Sequence, residues 1–412
     1  MGNCLQNKET NTDKLVLHIN KINIHVKDSD IDSNIKNLYI TIDRNLYETL
    51  YSKSYVSTLS LSTLSIKNTN VEILDLSDET TWLLTIKELP CGLKSLFFGK
   101  DRGENFTIGH DFGFQEKSFP DSLIDLKINS KFYEKFNDIV PRSLKKLELY
   151  ELPNQIINFP PNLEVLVFNQ RSSFYFDSEI KKSIKKLDKL FVNLPNTLKI
   201  LKIPNNWNFP LNNLPCGLKK LFLGEMFNQL LDFLPDSLTH LEFFKFNKYS
   251  QPLNNLPQGL EYLDLGYCND YIHPIQNLPN SIKYLKIGKY NIEIKSLPNS
   301  LEKLVVGSPV YFNLKKNYDI TFKYNGFYEL THFGSYNNKN NVKITIPPNL
   351  KEIICYNYLY YPERGNMIVI FPNNLNVYKN SKVDSSVINY KRISNTNNWK
   401  LENQTMKKLC DL

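Results

Sequence analysis

The chain has 412 residues with 50 Lys and Arg against 42 Asp and Glu, a net charge of +8. The excess is mild, and 41% hydrophobic and 13% aromatic residues are enough to fill a core, which argues against a disordered chain. No run of eighteen apolar residues occurs, which excludes a transmembrane helix, and alanine, the best helix former, is absent.

The N-terminus reads MGNCLQNKETNTDK and lacks the apolar stretch of a signal peptide. Gly2 could accept myristate once Met1 is removed, and Cys4 could take palmitate; two chains give stable membrane attachment where one is marginal. Gln6 stands where the acylation motif carries Ser or Thr, and an unmodified, frayed terminus is the plain alternative. Residues 1–30 are read as an N-terminal tail or cap. The six cysteines are far apart with no Cys-x-x-Cys pair, so free thiols in a reducing setting are expected.

Residues 31–88 are read as degenerate turns of a repeat. Ile35-Leu38-Ile40, Val56-Leu59-Leu61 and Val71-Leu74-Leu76 share one frame. From residue 89 to 378 the frame becomes explicit. Twelve prolines follow an apolar residue and precede x-x-[Leu/Ile]: Pro90, Pro120, Pro141, Pro160, Pro195, Pro215, Pro235, Pro257, Pro279, Pro298, Pro347 and Pro372. Most intervals lie between 19 and 22 residues, the range of a leucine-rich solenoid turn. The interval of 49 after Pro298 is close to two turns, with a worn copy around Ile320–Tyr324.

After each proline the pattern is L-x-x-L-x-L, as in Leu218, Leu221 and Leu223 or Leu260, Leu263 and Leu265. The last apolar pair alternates with other residues, which predicts a short one-sided strand. Proline donates no ladder hydrogen bond, so it marks the approach to that strand. One turn cannot bury its own leucines; stacked turns bury them against each other. The expected fold is a β-rich, leucine-rich-repeat-like solenoid: a parallel sheet of short strands, one per 19–22-residue turn, with extended or 3₁₀ segments on the return side and few helices.

Between Pro160 and Pro195 the stretch EIKKSIKKLDKLF places Ile180, Ile184, Leu187 and Phe191 on one helical face. Five lysines (Lys181, Lys182, Lys185, Lys186 and Lys189) occupy much of the rest, which predicts an inserted basic helix over about 178–191. Residues 379–412 are polar and are read as a C-terminal cap or tail.

The segment LPDSLTHLEFFKFNKYSQPLNNLPQGLEYLDLG resembles tandem FNIP repeats, whose pattern is roughly L-P-x-S-L-x-x-L-x-L-G-x-x-F-N-x-x-[I/L]. The resemblance covers about Leu89–Leu375 and is strongest over Leu194–Gly307. Such repeats are abundant in social amoebae and in giant viruses that infect amoebae, and are similar to leucine-rich repeats. The resemblance implies a related solenoid that mediates protein contacts. The Phe-Asn element is read at Phe227-Asn228 and Phe246-Asn247, while Asn208, Asn269 and Asn291 keep only the Asn. A leucine-rich repeat would make this a buried Asn ladder, but Asn228 lies five residues past the last strand leucine, not three. A solvent-side loop Asn is the other reading.

The outward strand positions form two columns from Pro215 onward: Lys220, His240, Tyr262, Tyr284 and Lys303, then Phe222, Glu242, Asp264, Lys286 and Val305. Tyrosines and a histidine beside carboxylates and lysines suit a partner-binding strip; an ordinary solvated sheet is the alternative. No catalytic, metal or phosphate-binding spacing is found. The fragment Asp111-Phe112-Gly113 has no other kinase motif beside it. His240 and Glu242 could polarise a proton, but on an open face nothing would exclude water. The expectation is a non-enzymatic scaffold that needs no cofactor and no small-molecule substrate. It would bind an unidentified protein in the cytoplasm, the host-cell cytoplasm if the chain is viral. A degradation adaptor would need an F-box-like segment, which residues 1–89 lack. A scaffold on a membrane or RNA would use the lysine-rich helix. Membrane attachment is expected only with acylation, and no nucleic-acid partner is expected.

Overall fold

A computed structural model describes residues 5–11, 13–19, 25–42, 62–77, 84–99, 119–128, 136–150, 157–169, 190–244, 247–265, 271, 273–275, 278–287, 297–307, 329–330, 344–345, 352–356 and 367–370. The chain divides into two compact units, Met1–Pro204 and Asn205–Leu412.

The first unit opens with β1 (Leu5–Asn11) and β2 (Lys14–Ile19), an antiparallel hairpin. Every later strand of its main sheet adds in parallel. In chain order the unit continues with β3 (His25–Lys27), β4 (Asn37–Ile42), β5 (Ser62–Ser65), β6 (Ile73–Leu76), β7 (Leu84–Glu88) and β8 (Ser95–Phe98). It ends with β9 (Asp125–Ile128), β10 (Lys146–Leu149), β11 (Val165–Phe168) and β12 (Ile200–Lys202). The main sheet takes β2, β4, β6 and β8 to β12. The strands between them, β3, β5 and β7, make a second parallel sheet on the return leg, with Val26, Leu64 and Ile86 buried beneath it. That sheet has no counterpart in the repeat pattern.

The second unit contains β13 (Lys220–Leu223), β14 (His240–Phe243), β15 (Tyr262–Asp264), β16 (Tyr284–Ile287) and β17 (Lys303–Gly307), all parallel and in register. The ribbon β18 (Glu329–Leu330) and β19 (Ile344–Thr345) is separate, and β20 (Glu352–Tyr356) pairs with β17 and, antiparallel, with β21 (Met367–Ile370).

The leucine columns are as the pattern requires. Leu221, Leu241, Leu263 and Leu285 are register partners on successive strands, each 0% exposed. Leu74, Leu96, Leu126, Leu147, Leu166 and Leu201 do the same in the first unit. The proline has a specific task. In ten repeats, from Pro90–Leu93 to Pro298–Leu301, its carbonyl accepts the N–H of the apolar residue three positions on, at 3.0–3.3 Å. Proline needs no N–H of its own there, because it takes part in the turn only through its carbonyl.

A second ladder explains the residue before that leucine. The hydroxyls of Ser122, Ser143, Thr197, Ser237, Ser281 and Ser300 donate to the carbonyls of Leu93, Leu123, Leu163, Leu218, Leu260 and Ile282 one turn earlier, at 2.6–2.9 Å. Each hydroxyl satisfies a carbonyl that the turn removes from the sheet ladder.

β4 pairs directly with β6, Leu38 opposite Leu74, and β17 directly with β20. The readings of Val56-Leu59-Leu61 and of Ile320–Tyr324 as repeat copies lie outside the described residues.

The Asn element is a ladder, at the surface. The Asn228 N–H donates to Asn208 Oδ1 at 2.8 Å, and the Ser250 N–H to Asn228 Oδ1 at 2.9 Å. Beneath it Phe227, Tyr249 and Tyr271 stack at 6.3 and 6.2 Å. Tyr249-Ser250 is therefore the equivalent of Phe227-Asn228, and Phe246-Asn247 is not. Asn247 is buried instead, its amide donating to the Gly224 carbonyl and its Oδ1 accepting the Tyr249 N–H. Asn269 and Asn291 lie outside the described residues.

Candidate partner-binding face

The alternation in L-x-L sends every second strand residue out of the sheet, and the parallel register lines those residues up from strand to strand. Lys220, His240, Tyr262, Tyr284 and Lys303 are successive register partners on β13 to β17; Phe222, Glu242, Asp264 and Lys286 follow the same order two residues on. The sequence-derived columns are thus assembled in the expected order, with Val305 as the next backbone partner of Lys286.

The strip is more enclosed than a solvated sheet. Phe222 and His240 are each 8% exposed and Asp264 4%, while Lys220, Glu242, Tyr262, Tyr284, Lys286 and Lys303 are half-buried. The cause is spacing. Strands about 4.8 Å apart leave little more than a ring's thickness between neighbours, so large side chains must stack. Phe222 and His240 have ring centroids 5.1 Å apart, His240 and Tyr262 3.9 Å, and Tyr262 and Tyr284 4.1 Å with planes 4° apart. The Lys303 ammonium lies 6.0 Å from the Tyr284 ring centre, the outer limit of a cation–π contact.

Beside the rings run two polar pairs. His240 Nε2 is 3.2 Å from Glu242, and the Lys286 ammonium is 3.0 Å from Asp264. Burial, reinforced by the Asp264 charge, pushes the Tyr284 phenol far above its ordinary range. The arrangement presents a stack of rings flanked by Lys220 and Lys303 on a rigid backing.

The first unit carries a related surface that the columns traced from Pro215 onward did not reach. Lys127 pairs with Glu148 at 3.0 Å and Lys146 with Asp125 at 3.2 Å, and the Lys127 ammonium lies 4.7 Å from the Tyr150 ring centre. Burial raises the Asp125 carboxyl despite its lysine neighbour. The signal was available: these residues occupy the same outward offsets after Leu123 and Leu144.

Gly2 and Cys4 lie outside the described residues, as do Asp111-Phe112-Gly113, the lysines of the 178–191 segment and residues 379–412. Of that segment, Leu190 and Phe191 are described. They lie in a turn and are buried, Phe191 edge-on to Phe168 at 5.7 Å. Among the described residues no cluster of His, Cys, Asp and Glu could hold a metal ion, and no helix is long and apolar enough to cross a membrane.

The family model described as FNIP Repeat matches residues 206–246, 227–268, 246–290 and 269–309. No curated protein matches the chain. Among solved structures, the chain is similar to CroV588, described as a novel circular LRR protein. That match has 22% identity and a TM-score of 0.34, covering 87% of this chain and 61% of that one. It is also similar to YopM from Yersinia enterocolitica WA-314, with 18% identity and a TM-score of 0.33, covering 82% of this chain and 77% of that one.

Proposed function

We propose that this FNIP-repeat protein, a leucine-rich-repeat-like solenoid, is a non-enzymatic scaffold that binds another protein along the outward face of β13 to β17. The observation that carries this reading is the ring stack from Phe222 to Tyr284, set beside the Lys286–Asp264 ion pair and flanked by Lys220 and Lys303. Stacking fixes these side chains before any partner arrives, so less rotamer entropy opposes association. The leucine columns behind them hold the backbone rigid, and half-buried tyrosines are the side-chain type that anchors interfaces. The His240–Glu242 pair belongs to this surface as a structural contact.

Tyr262 and Tyr284 replaced together by Ser, in a protein that keeps its far-ultraviolet circular dichroism, are expected to abolish partner capture from cytoplasm. Capture unchanged by the double substitution rejects this face.

A further inference from the structure

Two departures from the repeat meet on one rim of the second unit, between the turns that lead into β14 and β15. At the hydroxyl position the later turn carries Gly259, where Ser237, Ser281 and Ser300 stand in the turns around it. On the earlier turn Leu230 and Phe233 take the places held by Pro210 and Asn213 one turn before, and by Pro252 and Asn255 one turn after. We infer that this rim docks a lysine flanked by apolar residues on a partner segment. The ammonium enters a notch at Gly259, and its apolar neighbours pack on Phe233 and Leu230.

The notch follows from the hydroxyl ladder. Ser122, Thr197 and Ser281 each place one hydroxyl within 2.6–2.9 Å of two carbonyls of the preceding turn: Cys91 and Leu93, Pro161 and Leu163, Gln258 and Leu260. The equivalent pair for residue 259 is Asp236 and Leu238. Glycine brings no hydroxyl to them, and among the described residues no backbone N–H donates to either. A Cβ at Gly259 would lie 3.5 Å from Asp236 O and meet nothing else within 4 Å. Gly259 and Asp236 are both exposed, so the notch opens to solvent. At Gly92, the same repeat position, a Cβ would meet nothing within 4 Å. Two acceptors converging on one point suit a single atom that carries several protons. An ammonium has three on one nitrogen, whereas a guanidinium spreads its protons over separate atoms. The third ammonium proton is available to the Asp236 carboxylate.

Exposure and charge specify the rest of the partner. Phe233 is 69% exposed and Leu230 53%, an apolar pair open to solvent on a single turn. The Asn255 amide donates to Asp232 Oδ1 at 3.3 Å, and Gly259 faces Asp236 O, so two cross-turn contacts bracket Phe233. Residues 221–239 hold Glu225, Asp232 and Asp236 and no Lys, Arg or His, in a chain of net charge +8. Among the described residues neither Asp232 nor Asp236 forms an ion pair. The rim therefore attracts a cation, and a lysine's aliphatic stem can lie along the Phe233 ring while its head reaches the carbonyls.

The test is saturation-transfer difference NMR of the peptide acetyl-Ser-Leu-Lys-Leu-Ser-amide with the full chain. Saturable transfer to the lysine ε-methylene and the leucine methyls is expected. Gly259→Ser supplies the ladder hydroxyl and should weaken binding at least fivefold without lowering the melting temperature. Phe233→Ser, at an exposed site, should weaken it similarly with the fold intact. Peptides with Nε-acetyl-lysine or arginine in place of lysine should bind at least fivefold more weakly, and Tyr262→Ser with Tyr284→Ser should leave binding unchanged. No saturable transfer overturns the proposal, as does equal binding by Gly259→Ser or of either altered peptide. Loss of binding in the tyrosine double variant also overturns it, because the peptide would then occupy the outward strand face.

Discussion

Leu263→Ala is the most direct probe of the stacked core. Leu263 is 0% exposed and sits between Leu241 and Leu285 on the adjoining strands. The substitution removes three carbons, at about 0.8 kcal/mol each in transfer free energy. The residual cavity raises the loss to about 3 kcal/mol, within the range of about 2.7–5 for buried leucines. In a nearest-neighbour solenoid the damage concentrates on the two interfaces that strand makes. Native-state hydrogen exchange should therefore accelerate about a hundredfold at the amides of β14 to β16, since about 1.4 kcal/mol corresponds to tenfold. Glu261→Ala, at an exposed position two residues earlier, should change exchange less than threefold. Acceleration below tenfold for Leu263→Ala would refute the claim that these leucines carry the fold.

The hydroxyl ladder predicts opposite effects at two sites. Ser281→Ala frees the Leu260 carbonyl and should lower stability by about 1–2 kcal/mol in urea unfolding. Gly259→Ser should raise it by about 0.5–1 kcal/mol: a Cβ there would meet Asp236 O at an ordinary 3.5 Å, and the new hydroxyl stands where the ladder has its donors. Asp264→Asn, which leaves Lys286 without its carboxylate in a nearly closed site, should cost about 3 kcal/mol by thermal melting, and the added Lys286→Met should recover part of it. The Lys199 ammonium, hydrogen-bonded at 2.6 Å, holds the Glu164 carboxyl below its ordinary range. The pair thus stabilises the fold above the unfolded carboxylate pKa and loses that contribution as pH falls through the lower folded value. A carbon-detected titration should place the Glu164 midpoint below the ordinary value and shift it upward in Lys199→Ala.

The core and strand order of the Pro-x-x-Leu repeats were legible because an interval near 20 residues and period-2 alternation admit only one stacking. Leu221, Leu241, Leu263 and Leu285 met as read. The return-leg strands β3, β5 and β7 were not legible, since sheet pairing there depends on residues far apart in sequence with no shared spacing. The aromatic-Asn position slipped at Phe246-Asn247 because two extra residues precede Tyr249-Ser250, and only stacking on Phe227 shows which pair is equivalent. The outward columns were read correctly as neighbours but taken as open. That Phe222, His240 and Asp264 hide follows from strand spacing against ring size, a three-dimensional fact with no local sequence signal.

The direct pairing of β8 with β9 and of β11 with β12 has a consequence for how such a molecule changes over time. At both junctions the later turn re-engages its predecessor through a local device, a proline carbonyl and a hydroxyl, that ignores how much chain precedes it. Loop closure grows only slowly with length. Long passengers can accordingly be inserted at these two junctions, or trimmed from them, without resetting the register downstream, which makes them natural places to graft new epitopes.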